Sequence, residues 1–374
     1  MFYILPGNRD KDEKMTDVHV IGAGPAGSIA AIAAARRGHA VVVSEQHGEG
    51  SRHATCSGLF SAEGLVSLSD FIDYRRLVLN RIKGADIHFA DEVLSVRTKE
   101  PVAYVCDRHA FDAALADNAE SEGAKVVYND MVKGSFRADC VIGADGPSSS
   151  VAKQFHFPPM GRFVCTMKAV MEYEVAAKTD RSVISMHLSQ RRFPGFFGWM
   201  IPHADDLAEF GVGVALPGSA GAAWDHLLGM YGVKKPRKVA SDIIPVEPRR
   251  MTSMQHGKRK VLLTGDAAGQ VKATTGGGVI FGGNCAALAG KHADNPHGYE
   301  LEWRTRFGPD LFLHRKIRDH LDGLPDEHLA GLARHLKRLR LDSYLSKHGS
   351  MDKPTRMIKP QMLTHLARAL AGIE

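Results

Sequence analysis

Cysteine is scarce and scattered in this chain. The 374 residues carry Cys56, Cys106, Cys140, Cys165 and Cys285, an odd set with no CxxC spacing. That pattern excludes a structural zinc site and a secreted disulfide framework, and it points to a reducing, cytoplasmic setting. The 19 histidines form no HxxxH or HExxH pair, so no metal site is expected. No run of about 18 uncharged apolar residues occurs, so no bilayer-spanning helix is expected. Residues 1–14 contain too short an apolar run for a secretory signal and read as a disordered leader. Internal repeats and low-complexity tracts are absent, which excludes collagen-like and disordered classes. Acidic residues are in slight deficit, with Asp+Glu 42 against Lys+Arg 48 and a net charge of +6. No nucleic-acid partner is expected.

Glycine is plentiful, at 38 residues, which directs attention to tight turns and ligand-hugging loops. The chain is long enough for two domains. An alternating strand, Asp17-Val-His-Val-Ile, runs into Gly22-Ala-Gly24-Pro-Ala-Gly27 and then an alanine-rich helix closed by Arg36-Arg37-Gly38. A second apolar strand, Ala40–Ser44, ends at Glu45. This is a βαβ unit with a GxGxxG turn. The first glycine permits the turn, the second lets backbone approach a pyrophosphate, and the third packs helix on strand. Glu45 is placed to accept hydrogen bonds from a ribose with a free 2′-hydroxyl. A second motif follows the apolar strand Val261–Thr264, namely Gly265-Asp266-Ala-Ala-Gly269 and Thr274-Thr-Gly-Gly-Gly278. Asp266 can bond a ribityl hydroxyl, and the glycine run offers N–H groups near a flavin ring. A nicotinamide site does not need this second motif, so the pair selects FAD.

Between the two lie residues that read in more than one way. Asp107 is suited to cap the helix it begins, with Phe111, Leu115 and Ala119 on one face. Arg108 is then either a surface residue or a cofactor contact, and the neighbouring motifs favour the cofactor. Asp139 and Asp145-Gly146 match a further flavoprotein signature, although turn chemistry explains Asp145 nearly as well. Cys56 sits in a Thr55-Cys-Ser57-Gly58 loop, whereas the other cysteines fall in strands or helices and read as packing residues. Pro194-Gly-Phe-Phe-Gly-Trp-Met-Ile-Pro202 is either a core strand or an aromatic wall for an apolar substrate, with Phe197, Trp199 and Pro202 as its candidates.

The expected fold is α/β, a Rossmann-like FAD-binding domain with an inserted antiparallel-sheet substrate domain and a C-terminal helical region. Residues 15–60, 100–155 and 256–300 are assigned to the first, 61–99 and 156–255 to the second, and 301–374 to the third.

In this order the motifs resemble the FAD-dependent geranylgeranyl reductase family. That family includes the archaeal digeranylgeranylglycerophospholipid reductases, within the para-hydroxybenzoate-hydroxylase-like flavoproteins. The resemblance covers residues 15–300 and rests on Gly22–Gly27 with Glu45, Cys56-Ser-Gly-Leu, Asp107-Arg108, and Gly265-Asp266 through Val279. Phe197-Gly-Trp199-Met-Ile-Pro202 is similar to the family's aromatic YxWxFP stretch, with Phe197 in place of its Tyr and Ile201 in place of its Phe. His203 stands where many relatives carry Lys, and Ala273 where they often carry Pro. The resemblance implies FAD contacts at Ala26, Glu45, Cys56, Ser57, Gly58, Arg108, Asp266, Gly278 and Val279, with Val132 in the adenine pocket, in the strand after the Asp107 helix.

The implied activity is reduction of prenyl double bonds by hydride from reduced FAD, with Cys56 as the candidate proton donor. Only one GxGxxG turn is present, so electrons are expected from a transiently bound NAD(P)H or from ferredoxin. A flavin monooxygenase or halogenase of the same fold and a non-enzymatic prenyl-binding escort are the alternatives. From Gly331 to Leu370 there are nine basic residues, including Lys359 and Arg368, against two acids, Asp342 and Asp352. Leu332, Leu336 and Leu339 lie among them at helical spacing. This pattern reads as peripheral contact with an anionic membrane surface or as a helical cap with its leucines inward.

Overall fold

The computed structural model describes residues 16–50, 56–134, 136, 138–173, 180–203 and 206–357. The expected leader 1–14, Thr55, Lys359 and Arg368 lie outside the described residues. A six-stranded sheet runs Ser253–His256, Arg259–Leu263, Ala138–Gly143, Thr16–Ile21, Val41–Ser44 and Lys125–Val127, parallel except at its first pair. Its central strands are apolar on both faces because both are covered. Val20, Val141, Ile142, Leu262 and Leu263 are fully buried. Helices Pro25–Ala35, Arg108–Ser121 and Val279–Lys291 pack in the same core cluster. Small residues bring two of them together: a Cβ on Gly290 would stand 2.3 Å from the Ala30 carbonyl oxygen. Asp107 caps its helix as its position predicts, accepting from the N–H groups of His109 and Ala110, and Phe111, Leu115 and Ala119 are buried on one face.

The second sheet has seven strands, in the order Ala240–Pro245, Phe163–Glu172, Leu207–Ala215, Gly198–Pro202, Val183–Leu188, Gly84–Phe89 and Glu92–Arg97. It is antiparallel except between Val183–Leu188 and Gly84–Phe89, which are parallel. Those two strands are joined through the nucleotide-binding sheet, so no hairpin forces them antiparallel. A third sheet of three strands, Leu59–Ser61, Ala103–Cys106 and Val78–Ile82, lies beyond what the sequence pattern suggests. Its strands are short, and within residues 78–97 only Gly84–Phe89 is half-buried on both faces, whereas burial alternates along Val78–Ile82.

Helices Pro296–Asp322, Asp326–Arg338 and Leu341–His348 close the described chain. Here the inward-leucine reading holds. Leu329 and Leu336 pack with Phe89 and Leu94, Leu332 lies against the same cluster, and only Leu339 is exposed, at 40%. The basic face is partly neutralised by acids far away in sequence. Arg334 and Lys337 pair with Glu92, and Lys353 and Arg356 with Glu63. Among the described residues, no helix is long and apolar enough to cross a membrane.

Two buried imidazoles make the fold acid-sensitive. His187 stacks on His88 with centroids 4.3 Å apart, and its Nε2 lies 2.8 Å from the Tyr231 hydroxyl. Burial, reinforced by His88, Arg192 and His226, lowers its pKa from 6.5 to about 3. His314, with Nδ1 2.7 Å from the Thr274 hydroxyl, falls from 6.5 to about 4 through burial and the charge of Lys272. Below pH 6.5 the unfolded chain therefore binds protons that the folded chain refuses, and stability falls as pH falls. Denaturant unfolding should show a loss of about 2 kcal/mol per imidazole by about pH 5, and no such slope above pH 7. In His187→Gln, which keeps a partner for Tyr231, that acid slope should shrink; an unchanged slope would refute the assignment.

Candidate active site

The glycine turn is built by close backbone approach. Gly22 has φ +99°, and a Cβ there would lie 2.6 Å from the Ala144 carbonyl oxygen. A Cβ on Gly27 would lie 1.7 Å from the Gly22 carbonyl oxygen, so only glycine lets the helix begin against the turn. Gly24 is the N-cap of helix Pro25–Ala35, and no side chain caps its first N–H groups. The helix start, through Pro25 and Ala26, opens onto a cavity of about 330 Å³. A smaller cavity of about 90 Å³ holds Glu45, Glu49, His109 and Tyr128, and Asp112 lines both. Glu45 is buried at the end of its strand, with one carboxylate oxygen accepting the Ala23 N–H at 2.8 Å and the other the His47 N–H at 3.0 Å.

The second motif lines the same cavity beside the first: a Cβ on Gly265 would stand 2.8 Å from the Ala26 Cβ. Asp266 and Gly278 face each other there: a Cβ on Gly278 would be 2.8 Å from Asp266 Oδ1. Gly278 starts helix Val279–Lys291, again without a side-chain cap. Two uncapped helix starts thus present N–H groups to one cavity, a donor set suited to pyrophosphate and to the electron-rich edge of a flavin. The carboxylates of Glu45 and Asp266 suit sugar hydroxyls. These features fit FAD. The loop between Asp266 and Gly278 is fixed from behind by Arg318, which is 1% exposed and was not signalled by the sequence. Its guanidinium donates to the carbonyls of Ala273 at 3.1 Å and Thr274 at 2.7 Å, and stacks over Phe196 at 4.7 Å. Lys272, also missed, is buried in the same loop and pairs with Asp352 at 2.6 Å.

Arg108 lies buried between Phe60 and Asp112, with a 2.7 Å ion pair to the latter. Burial works against the Arg108 charge, but Cys56 and Asp112 together outweigh it and hold its pKa above the ordinary value. Cys56 is exposed and lines the large cavity, whereas Cys106, Cys140 and Cys285 are buried. Burial pushes the thiols of Cys106 and Cys140 up to about 12. Gly58, at φ +68°, lets the loop cross the Cys106 carbonyl, where a Cβ would stand 2.2 Å from the oxygen.

That loop is held by a buried carboxylate absent from the sequence expectations. Glu209, fully buried, accepts from the Ser57 hydroxyl, from Trp199 Nε1 at 2.8 Å and from Lys168 Nζ at 2.7 Å. Lys168 also donates to the Cys56 carbonyl at 2.8 Å. Removing Glu209 alone would strand a poorly hydrated ammonium and two donors, a loss of about 3–5 kcal/mol for a buried pair. The signal was a charge inside each of two otherwise apolar strands, Phe163–Glu172 and Leu207–Ala215.

Two sequence expectations are corrected, and one choice left open is decided. Phe197 and Trp199 line the cavity, but Pro202 does not; Ile201 does, because strand side chains alternate and 199 and 201 share a face. Val132 is not in a strand but in a loop beyond Lys125–Val127, packed against the cluster of Phe136 and Phe155, and it lines neither cavity described. Asp145 follows the turn reading: its carboxylate accepts from Ser149, Ser150 and Val151 at the start of helix Ser150–Gln154. Asp139 is exposed on the sheet.

The family model for FAD dependent oxidoreductases matches residues 17–147. Digeranylgeranylglycerophospholipid reductase 2 of Methanothermobacter thermautotrophicus is 30% identical over 87% of this chain and 93% of its own. The digeranylgeranylglycerophospholipid reductase of Methanosarcina acetivorans is 28% identical over 87% of this chain and 90% of its own. Among solved structures, a geranylgeranyl bacteriochlorophyll reductase-like protein from Thermoplasma acidophilum has TM-score 0.76 at 21% identity, covering 96% of this chain and 97% of that one. The halogenase PltM with FAD has TM-score 0.63 at 15% identity, over 96% of this chain and 94% of its own, and shares the fold alone. The cofactor architecture and the near full-length match agree: the chain belongs to the digeranylgeranylglycerophospholipid reductase family of FAD-dependent oxidoreductases.

Proposed function

We propose that this chain is an FAD-dependent reductase that saturates double bonds in the geranylgeranyl chains of isoprenoid membrane lipids. The observation that carries the reading is one cavity with two chemically different walls. Ala26, Asp266, Gly278 and Val279 form one, and Ile184, Met186, Phe197 and Trp199 the other. A prenyl chain offers no polar handle along its length, so contact with apolar side chains is what holds it. In the curated relatives the named substrate is a digeranylgeranyl glycerophospholipid.

Bound and reduced, FAD supplies the hydride. Gly22, Gly24 and Gly27 would admit the pyrophosphate to the helix start, Glu45 would take the ribose and Asp266 the ribityl chain. Gly278 and Val279 would offer N–H groups to the ring, and Cys56, Ser57, Gly58 and Arg108 would help to hold it. An isolated alkene accepts a hydride poorly, so orientation and exclusion of water must carry much of the barrier. Phe197 and Trp199 orient the chain. Cys56 Sγ would hold the proton destined for the alkene carbon that takes no hydride, and the thiolate left behind would recover a proton from water. The Arg108 guanidinium, which lines the same cavity as Cys56, would face the thiolate with a positive charge in the interval. Lys168 and Glu209 keep the loop that carries this thiol in register with Trp199. Electrons come from transiently bound NAD(P)H or from ferredoxin, and lipid is taken up by peripheral contact at the membrane surface.

The direct test is mass spectrometry of prenyl lipids after anaerobic incubation with the protein and dithionite. Stepwise gains of two hydrogens are expected. Turnover that requires oxygen, yielding hydroxylated or halogenated product, would establish the monooxygenase or halogenase alternative. A protein that purifies without yellow colour and still binds lipid would establish the escort.

Asp266→Ala should stay folded and lose flavin on dialysis, because the carboxylate facing Gly278 is the ribityl contact. Full flavin absorbance after dialysis would remove Asp266 from the site. Cys56→Ala should retain flavin and lose most alkene reduction, while Cys285→Ala, altered deep in the core, should leave turnover per folded molecule nearly unchanged. Wild-type rates for Cys56→Ala at saturating lipid would reduce Cys56 to a packing residue.

A further inference from the structure

The chain after helix Leu341–His348 turns back to the large cavity and is fastened there at three places. Lys353 and Arg356 pair with Glu63 at 2.8 and 2.9 Å. The Thr355 hydroxyl donates to Asp310 at 2.6 Å. Between them Asp352 inserts its carboxylate among buried groups, pairing with Lys272 at 2.6 Å and accepting from the Ser61 hydroxyl. The Lys272 and Asp352 side chains are only 6% and 5% exposed. These partners belong to the cavity's own elements. Ser61 caps the helix after the Cys56 loop and its strand, and Lys272 begins the glycine-rich loop.

Held beside this buried pair, Met351 lines the cavity and packs in one apolar cluster with Leu59, Ile184, Trp199 and Ile201. Each of these four also lines the cavity. Met351 is therefore the contribution of the C-terminal segment to the apolar wall. Methionine fills irregular space well, and its volume is taken directly from whatever else occupies the wall. Its backbone cannot drift, because the neighbouring residue is the buried Asp352.

We infer that Met351 is a specificity-determining residue that gauges the prenyl chain, its bulk setting how much apolar chain the cavity accepts. The inference rests on the reductase reading and deepens it. It assigns to a segment outside the cofactor motifs the discrimination among chains that share the same reacting group.

The test uses the full-length, FAD-loaded protein with dithionite and three substrates carrying farnesyl, geranylgeranyl or farnesylgeranyl chains. Relative kcat/KM and equilibrium binding to the oxidised protein, read by quenching of tryptophan fluorescence, are measured for each. Met351→Ala should shift preference toward the longest chain, and Met351→Trp toward the shortest, each by about tenfold, the discrimination that one or two methylenes command in an apolar pocket. Met351→Leu, nearly equal in volume, should keep the original order. Met351 is only partly buried, so all three variants should keep flavin absorbance and unfolding midpoint. If the unmodified protein reduces prenyl chains and the Ala and Trp variants keep its order of preference, the gauge is wrong. If the unmodified protein reduces none of the three, the reductase reading and the gauge fall together.

Discussion

A single buried carboxylate, Glu209, holds the two walls of the cavity in register. It lies on a central strand of the antiparallel sheet, yet it accepts a proton donor from the cofactor-side loop through Ser57 and from the aromatic wall through Trp199. Lys168 neutralises it and reaches on to the Cys56 carbonyl. An unpaired charge at this depth would be costly, so the four groups are mutually obligatory. Trp199 obeys a further constraint. Its indole lies over Gly211 on the neighbouring strand, where a Cβ would come within 2.1 Å of the ring. The position of the substrate wall is thus set by one missing side chain and one buried charge.

The same pairing logic recurs around the site. Arg108 is matched by Asp112, Lys168 by Glu209 and Lys272 by Asp352. A buried ion pair gives little net stability relative to apolar packing, but it penalises every arrangement that separates its members. The cavity therefore carries charge around its edges and apolar surface across its substrate wall. For a reaction between a polar cofactor and an apolar alkene this division is useful. Hydrogen-bonding groups line the side where the cofactor motifs lie, and the substrate meets a wall in which Ile184, Met186, Phe197 and Trp199 supply apolar surface.

What the sequence made legible was whatever a local pattern can encode. Gly22 and Gly27 were readable because a backbone contact shorter than van der Waals distance can be met only by glycine, and Glu45 because a βαβ unit fixes where its second strand ends. The helix carrying Phe111, Leu115 and Ala119 declared itself by spacing. The pairings were not legible, since Lys168 lies 41 residues from Glu209, Lys272 lies 80 from Asp352, and Ser61 lies 291 from Asp352. Pro202 was mistaken for a wall residue although strand alternation counted from Trp199 selects Ile201. Val132 was placed by resemblance alone, and the chain there leaves its strand sooner than the resemblance implies.

The C-terminal segment shows why local charge counting misleads. Counted along the chain it is a basic, leucine-containing stretch, a pattern shared by membrane-docking helices and by ordinary surface helices. Folding supplies partners from elsewhere for part of it. Glu92 takes Arg334 and Lys337, Glu63 takes Lys353 and Arg356, and the core takes Leu329 and Leu336. Of the two acids in that stretch, Asp352 is consumed by Lys272 rather than by its basic neighbours. A cation thus removed from solvent contributes little to attraction at long range, whereas the anion that pairs with it fixes a chain segment in place. The segment's charge is best understood as a set of fastenings, and what they fasten beside the cavity is Met351.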